Sequence, residues 1–136
     1  MAKSKNADAV RQTIVTDFII IPKNEEILSV SVLIGDVDQT GSTRIGIRDD
    51  DSFPVKRIHG SFDKEPIDKS INMHRKTLLV TTSVTDTNKN SNNNRTEATL
   101  KIFVGDSIKF VKKLHSDVPN EGDTETFIFN IDCHAR

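Results

Sequence analysis

The chain has one cysteine, Cys133, among its 136 residues. A single cysteine excludes an intrachain disulfide and a zinc site built from several cysteines. Cys133 lies in an alternating apolar run, so we interpret it as a small buried thiol rather than a nucleophile.

Tryptophan and tyrosine are both absent, although the chain has seven phenylalanines. Trp and Tyr are the usual anchors of protein interfaces, sugar platforms and base-stacking surfaces. Their absence weakens the case for a sugar platform. Together with a formal net charge of -1, it also argues against nucleic acid as a partner.

Long apolar runs are absent too. The longest candidate, residues 18–21, stops at Pro22 and is far shorter than the roughly 18 residues of a membrane span. We therefore expect no membrane partner. Residues 1–11 are polar and mildly basic, without the apolar segment of a signal peptide. We expect cytoplasmic synthesis, a flexible N-terminal arm over residues 1–11 and one domain over residues 12–136.

The chain instead has short apolar, β-branched runs separated by turn signals. Residues 27–34 alternate, and so do residues 124–133, which is typical of strands with one buried face. The runs that we interpret as strands are 13–21, 27–34, 43–48, 55–59, 75–87, 95–104, 107–114 and 124–133. This pattern predicts an all-β, single-domain antiparallel β-sandwich, jelly-roll-like, with seven to nine strands and little or no helix.

Three segments need a choice between structures. Residues 107–114 fit either a strand or a helix capped by Asp106 or Ser107, and we favour the strand because its neighbours are strands. Residues 60–70 contain Pro66 and many charges, so we expect a long surface excursion. Residues 75–104 are predicted to form a long hairpin, with residues 88–94 as its connector.

Two segments are candidates for contact with a partner. The first predicted strand is apolar on both faces in its second half, and we assign its outward face to Val15, Ile19 and Ile21. The connector of the predicted hairpin is rich in asparagine, which tolerates left-handed backbone geometry. Its candidate contact residues are Asn88, Asn90, Asn92, Asn93 and Asn94.

The acidic loops offer a calcium alternative. Asp36 and Asp38 partly resemble an oxygen-ligand loop, but the twelfth position counted from Asp36 is Ile47 rather than the closing Glu of an EF-hand. The other candidate ligands are Asp49, Asp50 and Asp51. Turn chemistry explains these aspartates without a metal, and we expect neither a metal nor a cofactor.

A basic cluster near the second half of the chain is the remaining charged feature. It comprises Lys101, Lys109, Lys112, Lys113 and His115. We interpret it as a solvated face, or as edge-strand lysines that block aggregation, rather than as a phosphate-binding stripe.

No catalytic motif is present: there is no GxSxG elbow, no P-loop and no HExxH spacing. We therefore expect a non-enzymatic structural protein, a self-assembling β-sandwich subunit of a virion (coat, decoration or fibre) or of another surface assembly. Its partners would be itself, as a homo-oligomer such as a trimer or a lattice, and other structural proteins. The alternative is a ligand-binding sandwich, namely a carbohydrate- or calcium-dependent adhesion module, with an enzyme ranked third.

Overall fold

The protein is a sandwich of two β-sheets. A computed structural model describes residues 11–35, 39–86, 95–118 and 123–136. One sheet has five strands and the other has four. The all-β sandwich predicted from the sequence is confirmed, with nine strands in these described ranges.

The described strands have from four to twelve residues, and the described residues also include one 3-10 helix, Ser70–Met73. The strand bounds are β1 (Arg11–Ile21), β2 (Ile27–Ile34), β3 (Gln39–Ile47), β4 (Lys56–His59), β5 (Phe62–Lys69), β6 (Thr77–Asp86), β7 (Arg95–Val104), β8 (Ser107–Asp117) and β9 (Thr124–Ala135).

The core lies between the sheets and is built from alternate residues of each strand. In β2, Leu28, Val30 and Val32 face the core, as the alternation predicts. On the other face Ile27 and Leu33 are exposed, whereas Ser29 and Ser31 are buried. The other side chains that fill the core include Ile45, Leu78, Val80, Leu100, Ile102, Phe127, Phe129 and Ile131. This interior holds the two sheets together through the area of apolar surface removed from water.

The pairing of strands differs from a simple series of hairpins. Among the strands, only β3–β4 and β7–β8 are consecutive neighbours in one sheet, so six of the eight connections cross between the sheets. All pairs are antiparallel except β1 and β9, which are parallel. The parallel pair joins the first and last strands, and β1 forms one edge of the five-stranded sheet, whose order is β1-β9-β6-β3-β4; the four-stranded sheet has the order β5-β2-β7-β8.

The predicted hairpin over residues 75–104 is wrong. β6 pairs with β3 and β9 in one sheet, whereas β7 pairs with β2 and β8 in the other. Both strands were recognised correctly from their apolar alternation, but alternation does not specify the partner. A connector of seven residues can also span the ~10 Å between packed sheets.

The predicted surface excursion at residues 60–70 is also wrong, because β5 pairs with β2 there. β5 lies at the edge of its sheet, where Pro66 is tolerated since only one side needs backbone donors. The strand assignment for residues 107–114 is confirmed as part of β8, which forms a hairpin with β7. Arg11, placed in the flexible arm, is the first residue of β1.

Candidate functional site

The first strand forms one edge of the five-stranded sheet. β1 pairs with β9 over eleven residue pairs without a register shift, from Arg11 with Glu125 to Ile21 with Ala135. Its other side pairs with no strand within the described part of the chain. The unpaired edge of a strand of this length presents a row of free backbone donors and acceptors.

Hydrogen bonds at the end of the strand show which residues face that open side. The N–H of Arg136 donates to the carbonyl of Ile21, and the N–H of Lys23 donates to the carbonyl of Arg136. In a parallel ladder, alternate residues direct both backbone groups to the same neighbour. The odd-numbered residues of β1 therefore face β9, and the even-numbered residues face the open edge.

The side chains of the even-numbered residues are also the exposed apolar ones. Ile14 is 59% exposed, Phe18 60% and Ile20 41%. By contrast, Ile19 is 4% and Ile21 1% exposed. The assignment of Val15, Ile19 and Ile21 to an outward face is thus reversed: Ile19 and Ile21 belong to the core, and Val15 packs against it.

We call the exposed row Ile14, Phe18 and Ile20, together with the open backbone edge of β1, the β1 surface. The sequence shows two apolar rows in this strand, and only the position of the second sheet decides which is buried. Nothing in the alternation distinguishes them. Burying one row of an edge strand leaves the other as an apolar strip beside unpaired backbone groups.

Two histidines extend the β1 surface at its C-terminal end. The ring of His134 meets the ring of Phe18 edge-on at 6.2 Å between centroids and that of His74 at 6.4 Å. The Nδ1 atom of His74 accepts the N–H of Ala135 at 2.9 Å. Burial lowers the pKa of His74, and the neighbouring positive charge of Arg75 lowers it further. A shallow cleft of about 430 Å³ lies between these side chains.

An ion pair between the half-exposed Arg11 and the buried carboxylate of Glu125 anchors β1 to the sandwich at its other end. The Oε1 atom of Glu125 lies 3.4 Å from the Nε atom of Arg11, and the Glu125 side chain is only 2% exposed. The hydroxyl of Thr13 donates to the second carboxylate oxygen at 2.9 Å. These contacts fix the start of the strand and therefore hold its edge in one register.

The other three edge strands carry features that discourage pairing with another chain. β4 has only four residues. β5 contains Pro66, many charges and two register shifts against β2. β8 carries Lys109, Lys112 and Lys113 and one register shift. Short, charged, proline-containing or bulged edges are the usual protections against aggregation. β1 is the long, regular and apolar exception.

The predicted basic cluster does not form a single stripe. Opposed residues of antiparallel strands share a face, so Lys112, opposite the buried Leu100, lies on a different face from Lys101. Lys113 also forms an ion pair with Glu97 at 2.9 Å. The lysines are therefore spread over both faces of the four-stranded sheet.

The candidate calcium ligands and the asparagine candidates for partner contact lie only partly within the described residues. Asp36, Asp38 and the asparagines of the connector, Asn88, Asn90, Asn92, Asn93 and Asn94, lie outside the described residues. Asp50 accepts hydrogen bonds from the backbone and hydroxyl of Ser52 and pairs with Lys76 at 3.3 Å. These partners lower the pKa of Asp50.

Within the described ranges, no three His, Cys, Asp or Glu side chains come together in a way that would hold a metal ion. The Asp49–Asp51 turn is accounted for by its own hydrogen bonds, with Asp49 in the left-handed region at φ 59°.

Comparisons with protein-family models, with curated proteins and with solved structures find no match. Among the described residues, no helix has the length and apolar character needed to cross a membrane.

Proposed function

We propose that the protein is a non-enzymatic, self-associating β-sandwich module and that the β1 surface is its contact. The partner is a second copy of the chain, whose β1 lies antiparallel to the first across a two-fold axis. One observation carries this proposal: β1 alone, of the four described edge strands, is long, apolar and free of register shifts.

The geometry of β1 suits pairing with itself. Even-numbered residues carry both the open backbone groups and the exposed apolar side chains, so one contact would bond the first and bring the second beside those of the partner strand. An antiparallel copy places donors opposite acceptors along the whole edge. Such a contact is isologous and closes as a dimer, and a trimer or lattice would require a further, head-to-tail contact.

Asp17 opposes this contact. It is the only charged residue in the middle of β1, and its Oδ1 atom accepts the N–H of Phe18 at 2.8 Å. A charge at this place is a known device against edge pairing. We therefore propose reversible association of moderate strength rather than a permanent dimer.

Sedimentation equilibrium of the wild type and two matched variants tests the proposal. Phe18→Ser removes an apolar side chain from the β1 surface, and Leu33→Ser removes one from the outer face of the opposite sheet; both residues are 60% exposed. Because a two-fold contact contains each residue twice, we expect Phe18→Ser to weaken dimerisation by about 2–4 kcal/mol, or at least roughly 30-fold in Kd. Leu33→Ser should leave the Kd unchanged.

Asp17→Ala provides a test in the opposite direction, because it frees the N–H of Phe18 and removes the mid-strand charge. Association should become tighter in this variant. A wild-type protein that stays monomeric at high micromolar concentration, or an equal effect of the two serine variants, would contradict the proposal.

The kind of assembly is a separate part of the proposal. A virion subunit, as expected from the sequence, and a subunit of another surface assembly would both use a self-complementary edge. Recovery of the protein in purified particles, and the loss of that recovery in Phe18→Ser, is the observation that would support the virion role.

A further inference from the structure

Two arginines stand opposite one another on the outer face of the five-stranded sheet. Arg44 of β3 is the cross-strand partner of Arg57 of β4, and both side chains are exposed. Opposed residues share a face with about 5 Å between their Cβ atoms, and like charges at this distance destabilise the sheet. Neither guanidinium has a hydrogen bond or ion pair with any described residue.

The cleft at the pair supplies further donors and, among its described lining residues, no acid. The two arginines line a cleft of about 230 Å³ together with Ser42, Ile58, His59 and Thr81. His59 is the cross-strand partner of Ser42, and Thr81 is the partner of Arg44 on the other side. The acid on the strand facing this edge, Glu65, is held by Lys56 at 3.2 Å.

A second cleft of about 260 Å³ adjoins the first and shares Arg44 and Thr81 with it, and Asp49, Asp50 and Asp51 line its other end. Its floor includes Gly46, where an added Cβ would meet only the Cγ2 atom of Val55, at 3.8 Å. Packing therefore does not require a glycine at this mid-strand position. A glycine inside a strand often marks a place where a ligand approaches the backbone, and here it leaves open space beside Arg44 and the partly buried Leu79.

We propose that Arg44 and Arg57 bind a tetrahedral oxyanion, a phosphate or sulfate group, on a ligand whose remainder lies over Gly46 and, because Asp49, Asp50 and Asp51 line that cleft, carries no further negative charge. A guanidinium offers two parallel N–H donors that match two oxygens of such a group. One anion between the two arginines turns their repulsion into two attractions, and Ser42 and Thr81 can donate to its remaining oxygens. This binding site is separate from the β1 surface and does not depend on self-association.

Backbone amide chemical shifts of the ¹⁵N-labelled chain test the site, with inorganic phosphate, sulfate and acetate as three probes. Sodium chloride keeps the ionic strength constant, because exposed charges are screened by salt. We expect saturable shifts in the millimolar range at Ser42, Arg44, Arg57 and His59 with phosphate and sulfate, and weaker binding of the planar acetate. A larger response to phosphate than to sulfate assigns the ligand as a phosphate ester, and the reverse assigns a sulfate ester. Shifts equal to those of sodium chloride alone, or equal binding of acetate, would overturn the proposal.

Three substitutions separate this site from general surface charge. Arg44→Gln and Arg57→Gln should each weaken phosphate binding at least tenfold, and Arg44→Lys should weaken it severalfold because it keeps the charge but loses the guanidinium fork. Arg75→Gln removes the same charge from an exposed position away from the cleft and should not change binding. Without the anion, the melting temperature of Arg44→Gln should equal or exceed that of the wild type. Binding lost equally in Arg75→Gln, or retained in both cleft variants, refutes the site.

Discussion

Replacing Arg11 by methionine tests how β1 is held in the sandwich. The Glu125 carboxylate is almost fully buried and lies 3.4 Å from the Arg11 guanidinium. Its Oε1 atom accepts no hydrogen bond from the described residues, so the positive charge of Arg11 is the main compensation for burying the negative charge of Glu125. Arg11→Met should therefore leave a buried charge with only the Thr13 hydroxyl as a partner.

The magnitude follows from burial. Removing one partner of a fully buried ion pair costs about 3–5 kcal/mol. The Arg11 side chain is 42% exposed, so solvent already screens the pair and water can approach the carboxylate after the substitution. We therefore expect a loss of about 1.5–3 kcal/mol in the free energy of unfolding. With a urea m-value of about 2 kcal/mol/M, the unfolding midpoint should fall by roughly 1 M.

Urea unfolding of a matched variant provides the control. Lys69 pairs with Glu25 at 3.0 Å, and both side chains are largely exposed, so Lys69→Met should cost under about 1 kcal/mol. Adding Glu125→Gln to Arg11→Met should recover part of the loss, because a neutral amide no longer needs the cation. If Arg11→Met costs no more than Lys69→Met, the Glu125 carboxylate is hydrated and the reasoning fails.

Three further substitutions or treatments test other parts of the structure. Gly41→Ala places a Cβ against the carbonyl oxygen of Ser83, so we expect a loss of about 1–3 kcal/mol in urea unfolding; an unchanged midpoint would contradict this packing. Burial raises the pKa of Cys133 to about 12, so a thiol reagent at pH 8 should react with the unfolded protein but not with the folded one. The pKa of His74 in the folded chain is lowered from 6.5, so the unfolded chain binds a proton at this residue more readily than the folded chain. The contribution of His74 to the free energy of unfolding should therefore be complete above pH 6.5 and be lost as the pH falls through the folded pKa. His74→Gln should remove this part of the pH dependence of the urea midpoint, and an unchanged pH profile would argue against the bond from Ala135.

The sequence predicts the strands better than their partners. Strict alternation in residues 27–34 identified β2 at its observed bounds and its buried face. β5 was missed because an edge strand with one solvated side tolerates Pro66 and charges that a central strand excludes. The placement of β6 and β7 in different sheets, and the parallel pairing of β1 with β9, depend on contacts between residues that are distant in the chain. The periodicity of the sequence does not encode such contacts.

The candidate sites show the same limit. The first strand was recognised as an interaction element from its two apolar faces, yet its buried face could be identified only once the opposing sheet was placed. The Arg44–Arg57 pair was invisible in the sequence, because thirteen positions separate the two residues and only the register of β3 with β4 brings them together.

Hydrogen exchange of the β1 amides at several protein concentrations tests the central claim most directly. The N–H groups of Ile14, Thr16 and Ile20 point to the open edge and should exchange rapidly in dilute solution. Pairing with a second β1 would bond them, so their protection should rise with concentration, while the amides of Ile19 and Ile21 keep the same protection throughout. Rapid exchange of the even-numbered amides at every concentration up to millimolar would contradict self-association through β1.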